Sequence, residues 1–143
     1  MKLFARRKAR AARILIVEDE PLIAFDTEHF LVTEGYSIAA TVDSVATALA
    51  AIEADDGIDL VLVDIGLADG TGLAVAEAAR ENAIEVLFVT GNLPEAAHRM
   101  AAGCLTKPYP QRDLVEAIEI IRRVRSGETV SRLPPTFTLF VPG

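Results

Sequence analysis

The sequence holds a single cysteine, Cys104, and only two histidines, His29 and His98, in 143 residues. One thiol excludes an internal disulfide and fits a reducing compartment. No cysteine–histidine pattern is spaced for zinc. Long apolar runs are also missing. The uninterrupted ones, such as 14–17 and 86–89, are strand-sized, well short of the roughly 20 residues that cross a bilayer. The basic head runs straight into a strand and an acidic cluster, which is not the build of a secretory signal. These absences point to a cytoplasmic protein with no membrane span. No internal repeat is present.

Positive charge is scarce outside the head. Residues 1–13 carry six basic residues (Lys2, Arg6, Arg7, Lys8, Arg10, Arg13) and no acid, whereas the rest sets eight basic residues against 21 acidic ones. An acidic body argues against nucleic-acid binding by the domain. The head itself suits an anionic surface, although the commonest role of such an end is a solvated, frayed terminus.

Half of the residues are apolar, enough for one core and too few residues for two ordinary domains. Apolar runs alternate with helix-period segments five times. Strands are expected at 13–17, 36–42, 58–63, 85–89 and 104–106. The first helix is expected over 21–34, opened by Pro21, stopped by Gly35 and carrying Ile23, Phe30 and Leu31 on one side. Asp43 or Ser44 can cap the second, where Val45, Leu49 and Ile52 recur. A loop of Gly66, Gly70 and Gly72 precedes a small-residue helix over 73–82, and a short helix is expected near 94–101. The last, over 111–125, aligns Leu114, Ile118, Ile121 and Val124, and Gly127 ends the pattern. Near-continuous apolar strands separated by helices predict an α/β fold, a doubly wound five-stranded parallel sheet with helices on both faces. The ligand site of such folds lies beyond the carboxyl ends of the strands.

Those ends carry the polar residues. Glu18 and Asp19 follow the first strand, Asp64 the third, Thr90 the fourth and Lys107 the fifth. Three carboxylates packed together repel and raise at least one pKa. A bound Mg2+ removes that problem, because it takes hard oxygen ligands and few protein carboxylates. The carbonyl of Gly66 offers a further oxygen. The plainer alternative is an acidic loop end that caps helices. Lys107, held extended by Pro108, would neutralise a phosphoryl group as a point charge. Thr90 supplies a hydroxyl, Gly91 leaves room beside it, and Asp64 is the candidate nucleophile. Such transfer needs positioning and charge neutralisation rather than a histidine.

The run Ile14-Leu15-Ile16-Val17-Glu18-Asp19-Glu20, Asp64 with Gly72 eight residues later, Thr90-Gly91 and Lys107-Pro108 together resemble the receiver domain of bacterial two-component response regulators. The resemblance covers about residues 12–125. It implies a flavodoxin-like receiver fold of strand order 2-1-3-4-5, with Asp64 accepting a phosphoryl group from a histidine kinase or phosphotransfer protein. It also implies that Glu18, Asp19, Asp64 and the Gly66 carbonyl hold Mg2+, and that Thr90 and Lys107 contact the phosphoryl group. A weak homodimer is compatible with it.

Two features depart from the family pattern. Receivers usually carry an aromatic three residues before the lysine, where this chain has Cys104, and Tyr109 is not an evident substitute. The segment between Thr90 and Lys107 is also short, so its helix makes little more than two turns and is weak without tertiary packing. Phe88-Val89-Thr90-Gly91, the missing aromatic and the short helix resemble the alphaproteobacterial FAT GUY group of single-domain regulators. Val89, Glu85-Val86 and Asn92 differ from that group's usual residues.

The expected organisation is a basic arm over 1–12, a receiver domain over 13–125, and a proline- and phenylalanine-containing tail over 126–143 with no output domain. The tail reads either as a disordered end or as an extended segment docked on its own domain or a partner. Output would then be a protein contact or the draining of phosphoryl groups from a shared kinase. Two rivals stand beside this reading. An aspartyl-phosphate phosphatase wants a second aspartate two residues after the first, where this chain has Gly66. A pseudoreceiver adaptor would not need the complete set of site residues present here.

Overall fold

Three valine-, isoleucine- and leucine-rich segments, β1 (Arg13–Val17), β3 (Leu60–Asp64) and β6 (Glu85–Thr90), lie side by side and are buried almost throughout. Strands buried on both faces need cover on both faces; β1 and β3 each lead into a helix, and β6 into a 3-10 turn. The computed structural model describes residues 12–92 and 95–140. The basic arm expected over 1–12 therefore lies outside the described residues, apart from the buried Ala12.

The helices are α1 (Pro21–Thr33), α2 (Val45–Ala54), α3 (Gly72–Glu81) and α4 (Gln111–Arg125), joined by a 3-10 turn at Glu95–Arg99. With β2 (Ser37–Val42), β7 (Gly103–Thr106) and β8 (Phe137–Leu139), the main sheet runs β2-β1-β3-β6-β7-β8. Its first five strands are parallel. Counted without the small hairpin β4 (Gly66–Leu67) and β5 (Gly70–Thr71), they follow the implied order 2-1-3-4-5. The sixth strand is an addition: the tail returns and pairs antiparallel with β7.

The strand period of two divides the core. Leu15, Val17, Val61, Val63, Val86 and Phe88 point to the α2–α3 side, while Ile14, Ile16, Leu60, Leu62, Leu87 and Val89 point to the α1–α4 side. Helix α4 turns Leu114, Ile118 and Ile121 inward, as its sequence predicts. Two expected core residues do not face it. Helix α1 buries Ala24, Thr27 and Leu31, leaving Ile23 43% exposed. Helix α2 buries Ala48 and Ile52 and leaves Leu49 at its margin. In both, the small residue next to the expected one is buried instead, Ala24 beside Ile23 and Ala48 beside Leu49. The expected helix near 94–101 is a 3-10 turn, and its first expected residue lies outside the described residues.

Candidate functional site

Register places the acids. Val17 and Val63 are level in the β1–β3 ladder, so Glu18 and Asp64 follow next to each other at the sheet's carboxyl edge. The N–H of Glu18 still donates to the Val42 carbonyl at 2.9 Å, which fixes where the chain leaves the sheet. Ligand oxygens of Glu18, Asp19 and Asp64 all lie within 4.8 Å of one another. Glu18 is 7% exposed and accepts the Glu20 N–H at 3.1 Å. Burial, above all, raises its pKa from the ordinary glutamate value; Asp64 and Asp19 add to the rise, and the Glu20 N–H and Lys107 oppose it.

Lys107 meets this cluster from β7. Its Nζ donates to Asp64 Oδ2 at 2.9 Å and lies 3.8 Å from Glu18 Oε1. Burial works against its charge, but the Asp64 bond and the surrounding carboxylates outweigh that and hold its pKa above the usual lysine value. The peptide between Lys107 and Pro108 is cis. The Lys107 N–H donates to the Thr90 carbonyl at 2.9 Å, so the lysine and the threonine share one backbone link. Thr90 is 9% exposed, and its hydroxyl donates to the Asn92 carbonyl at 3.1 Å while accepting the Asn92 N–H at 3.2 Å.

The loop after Asp64 is tightly placed. The Gly66 N–H donates to Asp64 Oδ1 at 3.0 Å. A Cβ on Gly72 would sit 2.6 Å from the Asp64 carbonyl oxygen and 2.9 Å from the Ile65 Cα. The Asp64-to-Gly72 spacing thus reflects a turn of chain that closes directly onto the aspartate's own backbone. Asp69, which sequence reasoning did not single out, ties the hairpin to α2 by accepting the N–H groups of Val45 at 2.8 Å and Ala46 at 3.2 Å. The Val45 N–H, first, holds its carboxyl below the ordinary aspartate value. Ser44, one of two predicted caps, accepts the Thr47 N–H at the same helix end.

Every predicted site residue therefore reaches one edge. Cys104 is 1% exposed on the α2–α3 side of the sheet, and burial raises its pKa to about 11. Tyr109 packs on the opposite, α1–α4 side and cannot stand in for a Cys104-side aromatic. Burial, then the charges of Glu18 and Asp64, push its phenol up to about 12. His29 and His98 lie away from the acids, on α1 and on the 3-10 turn.

The chemistry of the donor set fits a small hard cation: three carboxylates, no sulfur and no imidazole. Comparison with known proteins agrees with the geometry. The profile of the response regulator receiver domain matches residues 14–119. The chain belongs to the response regulator receiver domain family. Among curated relatives, the TorCAD operon transcriptional regulatory protein TorR of Escherichia coli K12 is 31% identical over 112 residues, covering 74% of this chain and 48% of TorR. The aerobic respiration control protein ArcA of the same organism is 32% identical over 125 residues, covering 82% and 52%. This receiver domain thus spans about half the length of the curated relatives it matches. A CheY-like receiver domain from Methanospirillum hungatei JF-1 superposes with a TM-score of 0.73 at 29% identity, covering 82% of this chain and 98% of that one. A receiver protein from Sinorhizobium medicae WSM419 gives 0.70 at 26% identity, covering 80% and 97%. Receivers of this family serve in phosphoacceptor signalling. Among the described residues no helix is long and apolar enough to cross a membrane.

Proposed function

We propose that this domain accepts a phosphoryl group on Asp64 from a histidine kinase or phosphotransfer protein in the cytoplasm, and signals by protein contact or drains phosphoryl groups as a sink. The observation that carries the reading is the Lys107–Asp64 bond of 2.9 Å beside three converging carboxylates. Glu18, Asp19, Asp64 and the Gly66 carbonyl are the proposed Mg2+ ligands; the bound ion would supply charge neutralisation for phosphoryl oxygens. Asp64 Oδ forms the new bond to phosphorus as the donor's phosphorus–nitrogen bond breaks, and the imidazole leaves with that electron pair. Lys107 then exchanges a carboxylate oxygen for a phosphoryl oxygen. Thr90 gives up its bond to Asn92 to donate to another.

The donor's approach has a marked surface. On α1, Leu22 (81% exposed), Phe25 (68% exposed), His29 and Val32 (53% exposed) form one outward stripe at helical spacing, with the Phe25 and His29 rings stacked at 6.2 Å. The stripe starts three residues after Asp19, so a helical partner laid along it would bring its own histidine to the acids.

The subgroup reading is part of the proposal. Buried Cys104, the 3-10 turn in place of a full helix and the Phe88-Val89-Thr90-Gly91 run at the end of β6 support membership of the FAT GUY group. The use of residues after α4 as a strand of the receiver itself supports single-domain operation. The phosphatase alternative lacks its second acid, since Gly66 stands two residues after Asp64. A phosphotransfer profile against every histidine kinase of the source cell tests the reading. One kinase should label the wild type quickly and fail to label Asp64→Ala. Steady turnover of a generic phosphoester with Mg2+ would instead support the enzyme.

A further inference from the structure

The tail is bound on both faces of the sheet. Phe137 is buried with the α1–α4 core, and Phe140 with the α2–α3 core. Between them β8 pairs with β7, Leu105 opposite Phe137 and Gly103 opposite Leu139. The ladder is extended at each end: the Thr106 N–H donates to the Thr136 carbonyl at 2.9 Å, and the Phe140 N–H to the Ala102 carbonyl at 2.8 Å. Thr136 also donates its hydroxyl to buried Asp113 at 2.7 Å. A side chain at position 103 would collide with the tail, because its Cβ would lie 2.5 Å from the Phe137 ring and 2.7 Å from the Thr138 carbonyl. The β7 edge is therefore shaped for a strand with large apolar side chains at its first and fourth positions.

That edge adjoins the phosphoryl site. Thr106, which holds the tail, directly precedes Lys107, which holds Asp64. Phe140 packs at 4.6 Å on the His98 ring, on the same core side as Cys104. An aromatic from the tail thus packs on the side of β7 where the strand's buried side chain is Cys104. A three-residue strand held by a few main-chain bonds belongs to the least stable parts of a fold. Lys107, whose partner at Asp64 would change on phosphorylation, is the residue next to Thr106, whose N–H holds the tail.

Resting on the phosphoacceptor reading above, we propose that the β7 edge is a strand-addition site for an extended partner segment, which β8 fills in cis until Asp64 is phosphorylated. The segment's chemistry follows from its present occupant: a large apolar residue, two residues including a small polar one, then an aromatic, with no proline among them. Leu139 and Phe140 line a cleft of about 790 Å3 whose largely apolar wall also carries Arg80, His98, Arg99 and Arg125, with Glu85 paired to Arg125 at 3.5 Å. A partner segment that continues into acidic residues would pair with these basic side chains, and so compete with the tail.

The test uses the full 143-residue chain with and without beryllofluoride and Mg2+. Fluorine NMR reports whether beryllofluoride is bound, and amide exchange reports the tail. A labelled peptide of sequence 132–140, extended by two glutamates or by two lysines, serves as the added strand. With beryllofluoride bound, exchange at residues 138–140 should speed at least tenfold and the glutamate-extended peptide should bind at least tenfold more tightly, ahead of the lysine version. Phe137→Ala, or the milder Thr136→Val, should raise peptide binding without beryllofluoride. Bound beryllofluoride with unchanged or slower tail exchange overturns the strand-addition proposal and leaves the acceptor site standing. Failure of beryllofluoride to bind at all overturns the acceptor reading and the coupling with it.

Discussion

The two ends of the sheet are built to different standards. At β1, β3 and β6 the strands are buried on both faces, the register is continuous, and Asp64 is enclosed by its own turn, by Gly72 and by Lys107. At β7 and β8 a four-residue strand meets a three-residue strand, and the contact depends on Phe137, Phe140 and two flanking main-chain bonds. The first region is rigid enough to hold charges within bonding distance. The second is small enough to be exchanged. A switch needs both, one part that fixes the chemistry and one whose equilibrium that chemistry can bias.

The sharpest way to break this contrast is a matched truncation. Phe88→Ala should cost about 3–5 kcal/mol of global stability, because a fully buried ring in the central sheet leaves a cavity that cannot collapse. Phe137→Ala removes a ring of the same size, yet its loss is capped by the free energy of docking the tail, since the domain can release it. Urea unfolding with amide exchange as a local probe checks this. Equal global losses for the two would mean that the tail is part of the core.

The two glycines give the next contrast. Gly72→Ala pushes a methyl against the backbone of Asp64 and Ile65 and should cost about 1–3 kcal/mol. Gly103→Ala pushes its methyl against Phe137 and Thr138, which can leave. It should expose the tail amides and preserve beryllofluoride binding at Asp64. Loss of the site in Gly103→Ala would show that the two regions are one unit.

These pairs also show what could be read from the chain. The convergence of the polar residues is legible because they close apolar strands, and parallel pairing brings strand ends together whatever the loops do. Helix α4 was legible because Leu114, Ile118 and Ile121 keep one period. Ile23 and Leu49 turn outward because their neighbours Ala24 and Ala48 take the inward positions, and alanine carries little pattern signal. Asp69 was missed since its partners, the N–H groups of Val45 and Ala46, lie more than twenty residues away. For the tail, the sequence is compatible with both docking and a disordered end. Three residues pairing more than thirty positions back leave no local signature, and Gly103 discloses its reason only when Phe137 is seen above it.

A smaller effect concerns Cys104. Burial raises its pKa to about 11, above the ordinary thiol value, so the thiolate is suppressed throughout neutral pH. A disulfide reagent at pH 8 should label it slowly in the resting chain and faster once the tail is released, because Phe140 lies in the same cluster. Rapid labelling of the resting chain would contradict the packed β7 described here. The smallest effect is local. Ala83 ends α3 in the left-handed region at φ 58°, so Ala83→Gly should stabilise the domain by about 0.5–1 kcal/mol and leave both sheet regions unchanged.

The central claim is that Asp64 is the nucleophile of an intact receiver site. Its most direct test is to treat the chain with acetyl phosphate and Mg2+, reduce any acyl phosphate with borohydride, and locate the resulting homoserine by peptide mass spectrometry. The account predicts a homoserine at position 64 alone, lost without Mg2+ and absent from Asp64→Ala. Reduction at another carboxylate, or no reduction in the presence of Mg2+, would contradict it.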